Sequence, residues 1–103
     1  MPDTSELACR TIEILEEHGW TKGQFVNPEG QYCLLGAIYT AAHEISESGA
    51  AEVWLATPLI NKLTDKINNK PFKFLKSKIA MTYWNDQPER TKEEVIELLR
   101  SEC

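Results

Sequence analysis

The sequence contains no run approaching the roughly 18 apolar residues of a membrane span, so no transmembrane helix is expected. Its acidic start lacks the basic and apolar stretches of a secretion signal. There is no Cys-x-x-Cys, and no Cys/His pair stands at zinc-finger spacing, which argues against a metal site. Repeats and low-complexity tracts are absent as well. Cysteines are few: Cys9, Cys33 and Cys103, odd in number and far apart. Without a secretion signal they predict reduced thiols, no disulfide and a cytoplasmic location. Nothing in the sequence calls for a cofactor.

What is there fits one globular domain over residues 1–103. Hydrophobic residues are 42% and charged residues 26%, close to the soluble average. A chain of 103 residues can bury a working core without metal or disulfide staples. The net charge of −5 is unevenly spread. Residues 1–52 hold nine acids against two bases, and residues 53–103 hold seven acids against nine bases. Lys62, Lys66, Lys70, Lys73, Lys76 and Lys78 fall within seventeen residues, with Asp65 the one acid among them. Such polarity points to a charged partner or a homodimer contact rather than to a fold.

Hydrophobic spacing predicts a mainly α, compact bundle of four to five helices, with a small hairpin or loop at residues 22–33. The first helix is capped by Asp3 or Thr4, buries Leu7, Ala8, Ile12 and Leu15, and stops at Gly19. That order predicts a Schellman ending with Trp20 folded back on the last turn. Asn27-Pro28-Glu29-Gly30 reads as a turn. A second helix from about Cys33 to Ser48 carries Gly36, Ala37, Ala41 and Ala42, small enough for close helix approach. A short helix over 50–56 is followed by Thr57-Pro58, read as a cap and first-turn proline of a further helix ending near Asn68. Residues 71–84 have helical and strand-like features, and helix is the better reading. Trp84-Asn85-Asp86-Gln87-Pro88 reads as a turn. Thr91 and Glu94 form a capping box for the last helix.

Cys33 is the most suggestive side chain for chemistry. A helix N-terminus lowers a thiol pKa. His18 or His43 is available as base, Asn85 or Asp86 to orient it, and Gln31 to line an oxyanion site. The plainer reading makes Cys33 a small buried hydrophobe and places each histidine at a helix end for structural reasons. The lysine cluster, interleaved with Phe72 and Phe74, has the charge and rings of a single-stranded nucleic-acid groove. The acidic whole argues against that partner. A solvated lysine face and core phenylalanines are the alternative. Trp84, Asn85 and Asp86 read first as a buried ring with polar neighbours bonding backbone.

Gly19-Trp20, Gly30-Gln31-Tyr32-Cys33-Leu34-Leu35-Gly36-Ala37, and Trp84-Asn85-Asp86-Gln87-Pro88 with Arg90-Thr91 and Glu94-Val95 together resemble a family. It is a set of small uncharacterised proteins of actinobacteria and bacteriophages, described as a domain of unknown function. The resemblance covers nearly the whole chain, residues 48–80 matching least. It implies a bacterial or phage origin and transfers no catalytic role. The resulting expectation is a non-enzymatic protein-binding module, an accessory protein that modulates a host factor. A cysteine-dependent enzyme built on Cys33 and a nucleic-acid binder built on Lys62–Lys78 are the rivals. Trp20, Gly30, Cys33, Gly36, Trp84, Asn85, Asp86 and Thr91 form the expected site or structural motif.

Overall fold

The computed structural model describes residues 4–46, 52–67 and 77–103. Five helices follow one another within them: α1 (Thr4–His18), α2 (Leu34–Ser46), α3 (Glu52–Ile67), α4 (Ser77–Asn85) and α5 (Lys92–Arg100). No strand occurs among the described residues. Two isolated bridges link Tyr32 to Trp20 and to Val26. The mainly α bundle predicted from the hydrophobic spacing is the observed architecture.

α1 buries Leu7, Ala8, Ile12, Ile14 and Leu15. Thr11 shares that face, and its hydroxyl donates to the Leu7 carbonyl at 2.7 Å, which keeps the polar atom satisfied in a dry place. Gly19 ends the helix at φ +97°, and its amide donates to the Leu15 carbonyl at 2.9 Å. This is the single-bond left-handed ending rather than the two-bond Schellman form. Trp20 does not turn back on α1 for its hydrogen bond. Its indole N–H finds an acceptor on α4 instead.

α2 packs on α1, α3 and α4. Gly36, Ala37, Ala41 and Ala42 are all buried there. A β-carbon on Gly36 would run into the carbonyl oxygen of Phe25, so the 22–33 loop rests directly on the helix. The loop itself turns at Asn27–Gly30. The Gly30 amide donates to the Asn27 carbonyl at 2.9 Å, and Asn27 Oδ1 accepts from the Glu29 and Gln31 amides.

α3 corrects the reading of Thr57-Pro58 as a helix start. One helix runs through both residues, with Pro58 inside it. An interior proline costs roughly 3 kcal/mol. The helix buries Ala56, Leu59, Ile60, Leu63 and Ile67 on one face. Each large aliphatic contributes about 1.5–3 kcal/mol on burial, so packing outweighs the local penalty. Of the segment read as helix over 71–84, the part from Ser77 is helical. Trp84 and Asn85, predicted in a turn, form the last turn of α4, and the chain turns from Asp86. Phe72, Phe74, Lys70, Lys73 and Lys76 lie outside the described residues. The α5 capping box forms as predicted, Thr91 accepting from the Glu94 amide and Glu94 from the Thr91 amide.

The expectation of no disulfide is overturned. Cys9 on α1 and Cys103 beyond α5 are cross-linked, their Cα atoms 4.8 Å apart across a sequence separation of 94. Spacing along the chain hid the pair because α1 and α5 pack side by side. The Cys103 amide donates to the Leu99 and Arg100 carbonyls, which carries the helical winding on past α5. Cys33 is the one free cysteine, and it is buried.

Candidate functional site: a buried asparagine and an apolar groove

Motif residues from three separate stretches meet around Asn85. The last turn of α4 sets this side chain, 1% exposed, between the end of α1 and the start of α2. Its Oδ1 accepts from Trp20 Nε1 at 2.7 Å and from the Leu34 amide at 3.1 Å. Its Nδ2 donates to the Thr21 carbonyl at 3.2 Å and to Asp86 Oδ1 at 2.9 Å. Two donors and two acceptor positions are all an amide side chain has, and all four are used. Leu34 opens α2, so Asn85 satisfies one of that helix's otherwise unpaired first amides. Asp86 Oδ1 also accepts from the Gly23 amide at 3.0 Å, fixing the loop to the end of α4.

Cys33 caps α2. Its carbonyl accepts from the Ala37 amide at 2.9 Å and its Sγ from the Gly36 amide at 3.3 Å. The residue is 6% exposed, and burial pushes its thiol pKa up, partly offset by the Gly36 and Leu35 amides. A nucleophilic cysteine needs access and a lowered pKa. Here the sulfur's partner is a backbone amide rather than a histidine. His18 and His43 are exposed, and the His18 ring stands edge-on to Tyr32 at 5.6 Å between centroids. Gln31 uses its side-chain oxygen on Asn27 Nδ2 at 2.8 Å. The group bonded to the Cys33 sulfur is a backbone amide, and Asn85 acts beside it by accepting from the Leu34 amide rather than by orienting a histidine.

Beside this knot an apolar groove of about 820 Å³ opens between α2 and α4, under the loop. The loop supplies Phe25, Val26 and Tyr32, and α2 supplies Leu35, Gly36 and Tyr39. From α4 come Ile79, Thr82 and Tyr83, and Asp86 stands just past it. Phe25, Val26, Ile79 and Tyr83 are each about half exposed or more, and all four line this one groove.

The chain belongs to DUF6197, a family of unknown function. The family match runs over residues 1–101, and so covers every residue of the Asn85 knot and the groove. No curated protein and no solved structure matches the chain.

The remaining expected residues sit elsewhere. Gly30 serves the loop turn at φ +82°, and Thr91 caps α5. Trp84 is buried, with the Arg90 guanidinium 3.8 Å above its ring and Arg90 Nε donating to its carbonyl at 2.8 Å. Of the six lysines, Lys66 pairs with Glu102 at 2.8 Å and donates to Ser101 Oγ at 2.7 Å. Lys62 also approaches Glu102, at 4.0 Å. No group of three potential metal ligands occurs among the described residues. No described helix is long and apolar enough to cross a membrane.

Two further residues, one beside the knot and one between α1 and α2, were not signalled by motif reasoning. Lys22 donates to the Gln87 and Pro88 carbonyls at 2.6 and 3.1 Å, with its ammonium 5.4 Å from the Trp20 ring centre. Arg10 clamps Glu44 of α2 through two nitrogens, at 3.0 and 2.9 Å. These are the two bases of the acidic half, and that rarity was the available signal.

Proposed function

We propose that the chain is a non-enzymatic binding module whose contact surface is the groove between α2 and α4. One observation carries this reading. Every large hydrophobic side chain that is exposed among the described residues lines the same groove. Scattered exposed apolar residues are ordinary, whereas a contiguous patch marks an interaction site. The Asn85 knot supports the reading by holding the loop wall, α2 and α4 in fixed relation. A buried, capping Cys33 favours this over the cysteine-enzyme reading.

The wider role is an accessory protein of bacterial or phage origin that acts on a host factor. A cytoplasmic location belongs to the same proposal and stands in tension with Cys9–Cys103, since cytosolic disulfides are usually transient. The test is differential capture from a bacterial lysate by the native protein and by an Ile79→Gln variant. The reading expects at least one stoichiometric species to be held by the native chain and lost with the variant. Identical capture by both would sink it.

A further inference from the structure

Asp86 gives the groove a chemical preference. It is the one acidic or basic side chain among the described residues of the lining, the rest being apolar or hydroxyl-bearing. Its Oδ1 is held by the Gly23 amide at 3.0 Å and by Asn85 Nδ2 at 2.9 Å, while Oδ2 accepts no hydrogen bond from the described residues. The carboxylate is therefore pre-oriented at the edge of an apolar surface, with one oxygen unbonded among the described residues. Resting on the binding-module reading, we propose that the groove receives an amphipathic helix of a partner protein that carries a lysine or arginine at the Asp86 end.

Several features favour this occupant. The described residues offer no sheet edge on which a peptide could add a strand, so side chains rather than main chain must hold it. A third helix laid between α2 and α4 continues the bundle's own packing. Phe25, Tyr32, Tyr39 and Tyr83 supply apolar area and π faces that attract a cation. The net charge of −5 raises encounter rates with a basic segment. An acidic segment would meet Asp86 with like charge, which acts against wrong partners.

The test uses the full chain and three matched 14-residue helical peptides, built from leucine with lysine, with glutamine or with glutamate. Binding is titrated in about 0.15 M salt, near a Debye length of 8 Å, so that distant charges are screened. Asp86→Asn removes the charge and keeps an oxygen for Gly23 and Asn85. Glu13→Gln removes one charge from exposed α1 as a control, and Ile79→Gln tests the groove wall. The proposal expects the lysine peptide to bind tightest. It also expects Asp86→Asn to weaken that peptide about fivefold, the scale of one partly screened ion pair, with Glu13→Gln changing it less than about twofold.

Equal effects of Asp86→Asn and Glu13→Gln, or equal binding of the glutamate peptide, would overturn the cation preference. If Ile79→Gln still weakens all three peptides in that case, the groove remains a contact surface. No effect of Ile79→Gln on any peptide would overturn both readings. A dimer in sedimentation that Ile79→Gln dissolves would make a second copy the occupant and overturn the partner helix.

Discussion

Asn85 does with one amide what the sequence distributes over three motifs. Removing it strands the buried Leu34 amide and the part-buried Trp20 indole N–H and Thr21 carbonyl. Each buried unsatisfied group costs about 1–3 kcal/mol. Asn85→Ala is expected to lose at least about 3 kcal/mol in urea unfolding, and a loss under about 1 kcal/mol would mean that solvent replaces the amide. Cys33 makes the opposite kind of prediction. Its raised pKa and burial leave little thiolate and little access near neutral pH. Native protein should resist iodoacetamide, and the thiol should react once urea unfolds the chain. Native-state labelling faster than free cysteine would return the enzyme reading to the front.

Between elements, the Arg10–Glu44 clamp joins α1 to α2. The hydrogen bond from Arg10, and then its charge, hold the Glu44 carboxyl below its ordinary value. A lowered carboxylate pKa stabilises the fold above the ordinary carboxylate range, and that contribution fades as pH falls through the lowered value. Both side chains are a third or more exposed, at 34% and 40%, so solvent limits the pair to about 1 kcal/mol or less. Glu44→Gln should flatten the acid limb of stability between about pH 5 and 3, read as urea midpoints across pH. An unchanged acid limb would assign that limb to other carboxylates. At this scale the sequence was largely legible. The Thr91-x-x-Glu94 box and Gly19 stop are local signals, and both elements end or begin where they say. Pro58 misled because its meaning depends on whether the buried face of α3 continues past it, which is a tertiary matter.

At the scale of the molecule, Cys9–Cys103 closes almost the whole chain into one loop, with a separation of 94. Closing a loop near 100 residues removes up to about 4.7 kcal/mol of unfolded-state entropy, and native disulfides of small domains typically give about 2–5 kcal/mol. Cys103→Ser should lower stability by about 2–4 kcal/mol in non-reducing buffer and by nothing further when reductant is added. Equal stability of variant and native protein would show that the cross-link adds no constraint. Neither this bond nor the groove could be read from spacing. Leu35, Tyr39, Ile79 and Tyr83 follow helical periods that look like core, and only the arrangement of α2 and α4 beneath the loop leaves some of them uncovered. The knot was half legible: its residue types stood out, but their bonding to one asparagine required the fold. The cross-link also decides how the protein carries mechanical load. Pulled at Thr4 and Cys103 while oxidised, the tension runs from Cys9 straight through the bridge, and the chain can lengthen only to about 20 Å. Reduced, the same handles would pay out a contour of roughly 350 Å. Oxidation thus turns an extensible tether into a short link in which only the stretch of α1 before Cys9 feels the force.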